Sequence, residues 1–408
     1  GSYPWSSCRA SCGVVLACAS VTIGQTQTDI DAPSEEVLKR LSQHFAQAKT
    51  LTVKAALNAR TEANGRVFTD RANLVYRIAR PASYYINIDA GEESQTAVSD
   101  GKQLTLFVNK FNQYSKNRAP TEDPFDHPMM GILLNGALLA EDPYQELIDE
   151  VRQIKHVGEE KLDVGQADHL RMHSPDGVID LWVTAGEKPT PVKLVVDQSE
   201  MLRAQGVQGT RTFTVDYTDW TVGKPLADDA FTFSPPEDAM LVKQIGPHGE
   251  LIGNKAPDFT LETPEGEKVT LSQLKGKTVI LDFWATWCGP CIQAMPVIKK
   301  VTDAYADKGV VLYAVNLREN ADKINAFRKQ RDIDVPVLMD SDASVAKDLY
   351  KVNGIPQTVI IGPKGDVQAV HVGIPGGRVD VLERQLRHEL ELLAKGTNLY
   401  DHDHSDHE

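Results

Sequence analysis

A chain of 408 residues is longer than one typical domain, so two domains are expected. Hydrophobic residues at 41% and charged residues at 25% describe a soluble, globular chain. The formal net charge of −14 excludes a nucleic-acid binder, which needs a basic surface, and disfavours docking on anionic lipid head groups.

Residues 1–27 differ from the rest. There is no initiator Met, and Arg9 precedes the apolar, small-residue run "CGVVLACASVTIG", about the length of a signal h-region. It is too short for a membrane span. "VLAC", ending at Cys18, weakly resembles a bacterial lipobox, in which the cysteine would carry lipid; a plain cleaved leader is the favoured alternative. Either way the mature chain is expected in the periplasm or cell envelope. Cys8, Cys12 and Cys18 then leave with the leader, and only Cys288 and Cys291 remain.

The first helix is expected in "PSEEVLKRLSQHFAQA", capped by Ser34, with Val37, Leu38, Leu41 and Phe45 on one face. The period then becomes two, at residues 51–57, 74–78 and 84–88. Asp100-Gly101 signals a hairpin ahead of Leu104, Leu106 and Val108. An apolar, helical insert is expected over 123–155, and strands resume at 179–183, 192–196 and 213–217. The pattern describes an antiparallel, strongly curved sheet with a few helices covering one face.

Pro- and Gly-rich sequence from Ser234 marks a boundary, with a linker over 243–251. Beyond it, "TVILDFW", "VVLYAVNL", "VPVLMD", "QTVIIG" and "VQAVHVG" read as strands. A helix kinked by Pro296 follows the first, another spans about 321–330, and a third runs "RVDVLERQLRHELELLAKG" with Val379, Leu382, Leu386 and Leu390 on one face. This alternation predicts a central sheet with helices on both faces.

"DFWATWCGPC" ends with two cysteines three positions apart. A cross-link there closes almost no loop and removes little unfolded-state entropy. Zinc needs four ligands, and there is no second pair, while His371 stands alone in a strand. Placement decides for redox chemistry: the pair follows a strand and opens a helix, whose free N–H groups favour a thiolate. Cys288 is expected to be the exposed nucleophile and Cys291 the resolving thiol. Gly289 and Pro290 lie between them, and Pro290 suits the first helical turn because its missing N–H would be unpaired there anyway.

Residues 252–395 resemble the exported TlpA/ResA-like thiol–disulfide oxidoreductases of the thioredoxin superfamily. "APDFTLETPEGEKVTLSQLKGKTVILDFWATWCGPC" carries the resemblance, including that family's extra N-terminal hairpin, and "GIPQT" matches its cis-proline loop. The resemblance implies an α/β thioredoxin-like sandwich with a central mixed sheet over 252–397. It also implies a cis Ile355–Pro356 bond beside the sulfurs, against an ordinary trans turn proline, and Asp282 as a buried carboxylate serving as base for Cys291, against a solvated acid at a strand end. Many TlpA-like relatives have Asn at that position, so this chain is closer to thioredoxin there. Trp284 and Trp287 are expected to shape the surface around the pair, or simply to pack. No cofactor or metal is implied beyond the redox-active disulfide. Disulfide-containing proteins are the implied substrates and a thiol-reducing membrane protein the electron donor. "APDFTL" also opens peroxiredoxins, but their lone-cysteine motif is missing, so thiol peroxidase is the minor alternative.

Residues 29–242 resemble, through "VSDGKQLTLFVNKFNQYSKN", "DGVIDLWVTAGEKPTPVKLVV" and "DDAFTFSPPEDA", predicted periplasmic proteins related to the LolA/LolB lipoprotein carriers. That implies an α+β half-barrel whose concave face holds an acyl chain or apolar peptide, unless the helical insert fills it. The tail over 398–408 carries His402, His404 and His407 among acids and is expected to be a solvated end rather than a metal site.

Overall fold

The computed structural model describes residues 28–119, 135–175 and 177–401. The expected leader with Cys8, Cys12 and Cys18, the first part of the insert, and His402, His404 and His407 lie outside the described residues. The chain divides into two compact units, one ending at Ala239 and the other starting at Met240.

The first unit opens with β1 (Asp29–Ile30) and α1 (Ala32–Ala46). The cap of α1 is Asp31, not Ser34. Pro33, with no N–H to donate, belongs in the first turn, so the helix begins before it and Ser34 is already inside. Asp31 Oδ1 accepts from Ser34 N at 3.0 Å, and Oδ2 accepts from His156 N at 3.0 Å. The same carboxylate therefore caps the helix and ties it to a strand. Asp31→Ala should cost about 1–2 kcal/mol in a urea melt, at the upper end for a cap. A loss below about 0.3 kcal/mol would show that water replaces both bonds.

Six strands follow: β2 (Thr50–Ala63), β3 (Arg66–Ala79), β4 (Ser83–Asp89), β5 (Gln95–Asp100), β6 (Gln103–Val108) and β7 (Gln113–Arg118). Next come α2 (Asn135–Leu139), α3 (Pro143–Glu150), β8 (Gln153–Leu162), β9 (Gly165–Ser174), β10 (Gly177–Thr184), β11 (Pro191–Asp197), α4 (Ser199–Ala204) and β12 (Gly209–Val222). Strand order in this unit is β1-β8-β9-β10-β11-β12-β2-β3-β4-β5-β6-β7. Neighbours run antiparallel except β1 and β8, which are parallel, so the sheet is mixed rather than purely antiparallel. The hairpin at Asp100-Gly101 joins β5 to β6. Gly101 takes φ +86, and Asp100 Oδ1 accepts from the N–H groups of Lys102 and Gln103.

Alternation puts Leu51, Val53, Leu74, Tyr76, Ile86, Leu181 and Val215 on one buried face. Val37, Leu38, Leu41 and Phe45 of α1 pack into the same cluster, as do Leu138 and Leu139 of α2 and Leu147 of α3. Of the expected insert, α2 and α3 are helical, with Leu138, Leu139 and Leu147 in the core, but its last three positions, 153–155, belong to β8 instead. The hairpin β8–β9 is not legible as strands in the sequence. A register shift between His156 and Gly158 breaks its alternation, and Glu159, Glu160 and Lys161 are exposed.

The second unit starts with the short β13 (Met240–Leu241), then the hairpin β14 (Thr260–Glu262) and β15 (Lys268–Thr270). β16 (Thr278–Trp284), α5 (Gly289–Asp303), β17 (Val310–Leu317), α6 (Ala321–Arg331), β18 (Val337–Asp340), β19 (Gln357–Ile361), β20 (Val367–Val372) and α7 (Val379–Ala394) complete it. The order β15-β14-β18-β17-β16-β19-β20 has parallel pairs at β16–β17 and β17–β18 and antiparallel pairs at β16–β19 and β19–β20. This is a thioredoxin-like fold. All of β16 is buried, as a central strand covered on both faces must be. Ile280 and Trp284 share one cluster with Ala294, Met295 and Ile298 of α5, Ile324 of α6 and Leu382, Leu386 and Leu390 of α7. Val279, Leu281 and Phe283 face the other cluster, with Leu251, Phe259, Leu271, Val345 and Tyr350. Helical segments do cover both faces, as expected, but unequally. α5, α6 and α7 all pack into one cluster, and the second is closed by the lead-in chain and a single turn of π-helix over Val345–Leu349.

Candidate active site

β16 delivers its C-terminal end to a short turn, Ala285–Trp287, and Cys288 then caps α5 with extended backbone at φ −85 and ψ 97. Gly289 and Pro290 form the first turn and are exposed. Cys291 N donates to Cys288 Sγ at 3.2 Å, so the outer sulfur sits where the helix presents its unpaired N–H groups. The two sulfurs are joined as a disulfide, with Cα atoms 5.3 Å apart. The pair is thus seen oxidised.

Cys288 is only 4% exposed and Cys291 is fully buried, which corrects the expectation of an exposed nucleophile. The cause is packing: both sulfurs belong to the cluster built from Trp284, Ala294 and Met295, with Ile355 against it. Cys288 retains the little access there is. Trp284 and Trp287 separate in role. Trp287 is 71% exposed, whereas Trp284 is wholly buried, its ring 5.7 Å from that of Phe327. Trp284 therefore shapes no surface and packs beneath the pair.

The Ile355–Pro356 bond is cis, Pro356 O accepts from Gly373 N at 2.7 Å, and Ile355 reaches the cluster that holds both cysteines. Asp282 alternates with Ile280 and Trp284, which directs it to that same face of the sheet. It is 1% exposed. Thr358 Oγ1, directly across on β19, donates to Asp282 Oδ1 at 3.2 Å, and Oδ2 has no partner among the described residues. Burial outweighs that bond and pushes the carboxyl up to about 7. An acid that titrates near neutrality, on the sheet face whose cluster holds both cysteines, can take and return a proton at working pH.

His371 is not alone. Its Nε2 lies 2.9 Å from Glu389 Oε2 and its Nδ1 3.2 Å from Gln385 Nε2, both on α7. The residue the sequence reading missed is Glu319. It follows β17 and reaches back to the turn that carries the cysteines, accepting from Thr286 N and Thr286 Oγ1. Its only local signal is the acid in "REN", and the pairing with a residue 33 positions away is invisible in sequence.

Comparison with known proteins covers both units. Residues 34–244 match the family described as "Predicted periplasmic protein (DUF2092)", and residues 252–370 match the AhpC/TSA family. The chain is 45% identical over 124 residues to the thioredoxin-like protein YneN of Bacillus subtilis, covering 30% of this chain and 71% of that one. It is 39% identical over 121 residues to the thiol–disulfide oxidoreductase ResA of the same organism, covering 30% and 67%. Among solved structures, StoA from Bacillus subtilis aligns at 27% identity and a TM-score of 0.27 over 31% of this chain and 95% of that one.

Proposed function

This chain belongs to the predicted periplasmic proteins of the DUF2092 family through residues 34–244 and to the thioredoxin-like thiol–disulfide oxidoreductases through its second unit, and from that premise we propose that it is an exported reductase of protein disulfides. The observation that carries the reading is the Cys288–Cys291 pair at the N-terminus of α5, on the face of β16 that buries Asp282.

The reduced enzyme acts in two exchanges. The Cys288 thiolate attacks one sulfur of a substrate disulfide; a Cys288–substrate bond forms and the other substrate sulfur leaves as a thiolate. Cys291 gives its proton to Asp282 and attacks Cys288 Sγ. The Cys288–Cys291 bond forms, and the second substrate sulfur departs and takes up a proton. Two electrons pass from the enzyme dithiol to the substrate. A thiol-reducing partner in the membrane must restore the dithiol, because the exported compartment is oxidising. Trp287, Gly289, Pro290 and Ile355 would form the surface the substrate meets.

The reduction potential tests the direction. A Gly-Pro dipeptide between the cysteines is thioredoxin's own, so a value near about −270 mV is expected, and one above about −170 mV would make the protein an oxidant. Thiol peroxidase stays the minor alternative, because the lone-cysteine peroxidatic motif is missing and beyond Cys18 the cysteines are those of this pair. For residues 29–242 the LolA-like reading is a half-barrel that carries an apolar ligand. The burial of α1, α2 and α3 against its sheet favours core over cavity. Lipid co-purifying with the full chain in stoichiometric amount would reverse that preference.

A further inference from the structure

The turn that carries the redox pair has no strand partner of its own. β16 ends at Trp284 and α5 begins at Gly289, so the backbone between them must find other bonds. Cys288 N bonds Ala285 O at 3.1 Å within the turn. Thr286 finds its partner outside it, in Glu319. Glu319 Oε2 accepts from Thr286 N at 2.8 Å and from Asn316 Nδ2 at 2.8 Å. Glu319 Oε1 accepts from Thr286 Oγ1 at 2.6 Å and pairs with Lys323 Nζ at 2.6 Å.

This carboxylate is held on all sides. Its side chain is 4% exposed, yet it has four donors and precedes Asn320, which caps α6 through Lys323 N. Burial alone would raise its carboxyl, but bonds from Lys323, Thr286 and Asn316 outweigh it and bring the pKa to about 2. Glu319 is therefore a fixed acceptor at any working pH, not a proton carrier.

We propose that Glu319 is a positioning residue for Cys288: by holding both donors of Thr286 it fixes the turn Ala285–Trp287, and with it the backbone that lets Cys288 cap α5. The proposal rests on Cys288 being the nucleophile, as argued above. A thiolate gains from a helix N-terminus only while its sulfur stays within reach of the free N–H groups. Thr286 lies two residues before Cys288, so a turn released at Thr286 loses that register. The charge of Glu319 would by itself disfavour a neighbouring thiolate, but Lys323 compensates it at contact distance. Geometry is then the larger effect, and shape without charge should suffice.

The test uses the reduced full chain carrying Cys291→Ser, so that iodoacetamide reports Cys288, with circular dichroism confirming that each protein is folded at the assay temperature. Glu319→Ala should lower the alkylation rate at pH 6 at least tenfold and move the apparent thiolate pKa toward the free value of about 8.5. Glu319→Gln keeps an oxygen for Thr286 N and can donate to Thr286 Oγ1, so it should restore the rate to within about threefold of the parent. Should Glu319→Ala not fold, Thr286→Ala removes one of the two bonds and should give an intermediate loss. A folded Ala variant with the parent's pH profile would overturn the proposal, leaving Glu319 as a stabilising contact only. A Gln variant as slow as Ala would overturn it too, because charge would then be acting. A parent that shows no thiolate at pH 6 would sink the reading of Cys288 as nucleophile, and that is seen before any Glu319 variant is made.

Discussion

Cys288→Ser should reduce no disulfide above the uncatalysed background, whereas Cys291→Ser should accumulate protein joined to substrate. The two cysteines differ because the fold gives them different surroundings. Cys288 caps α5 and keeps a trace of solvent access, and Cys291 lies one turn inside with none. Only the first can meet a substrate sulfur, and only it gains directly from the helix N-terminus. A serine hydroxyl in its place has no accessible anion near neutral pH and forms no disulfide, so the first exchange cannot start. In Cys291→Ser the first exchange still occurs, but release depends on external thiol. An intramolecular thiol held in place acts at an effective concentration far above millimolar, so release should slow by at least about a hundredfold. Non-reducing electrophoresis after mixing with a disulfide substrate reads the trapped species. Faster alkylation of Cys291 than of Cys288 in the reduced wild-type chain at pH 6 would reverse the assignment.

Much of this was legible in the sequence because local chemistry dictates it. The strands of the first unit read clearly where one face is buried, as at Leu51, Val53, Ala55 and Leu57, since period two is then enforced by burial. β8 and β9 escaped because a bulge at His156–Gly158 and a charged outer end erase that period. The cap of α1 was placed three residues late: Ser34 has the right chemistry, but Pro33 fixes where the first turn falls. The cysteines stood where a helix's first turn determines orientation, whereas Asp282 was marked only by the family resemblance, since its burial is set by packing that the sequence does not display. Trp284 and Trp287 are three residues apart, and no periodicity carries across the turn between them, so their opposite exposure could not be read. Glu319 shows the harder limit. Its bonds to Thr286 join chain segments that only the β16–β17 pairing brings together.

Asp282→Asn should slow the second exchange by about a hundredfold, the lower end of what general acid–base catalysis supplies, while leaving the first exchange nearly unchanged. The carboxyl sits in the cluster face of β16 with one oxygen bonded to Thr358 and the other unpaired among the described residues, so ionising it there is costly. That cost is what raises it to about 7 and makes it a proton acceptor where Cys291 needs one. In wild type, release of the mixed disulfide should accelerate as pH rises through about 7, and the Asn variant should lose that inflection. Stability should move the opposite way. Below the unfolded value of 3.8 both states hold the proton and nothing is lost. Between 3.8 and about 7 the folded chain keeps a proton that the unfolded chain has released, so stability falls with rising pH, and above about 7 the loss is complete. A shift of that size corresponds to an upper bound of about 4 kcal/mol, at about 1.36 kcal/mol per pKa unit. Asn carries no such penalty but buries an amide with too few partners, which offsets about 1–3 kcal/mol. Relative to wild type the variant should therefore gain in denaturant melts as pH rises from 5 to about 7, level off beyond, and be at least as stable above pH 7, while becoming the slower enzyme. The two readouts separate a base from a bystander: a carboxyl that is merely buried changes the melts and leaves the release rate alone. Equal release rates at pH 7.5 for the two proteins would remove Asp282 from the chemistry and leave water to deprotonate Cys291.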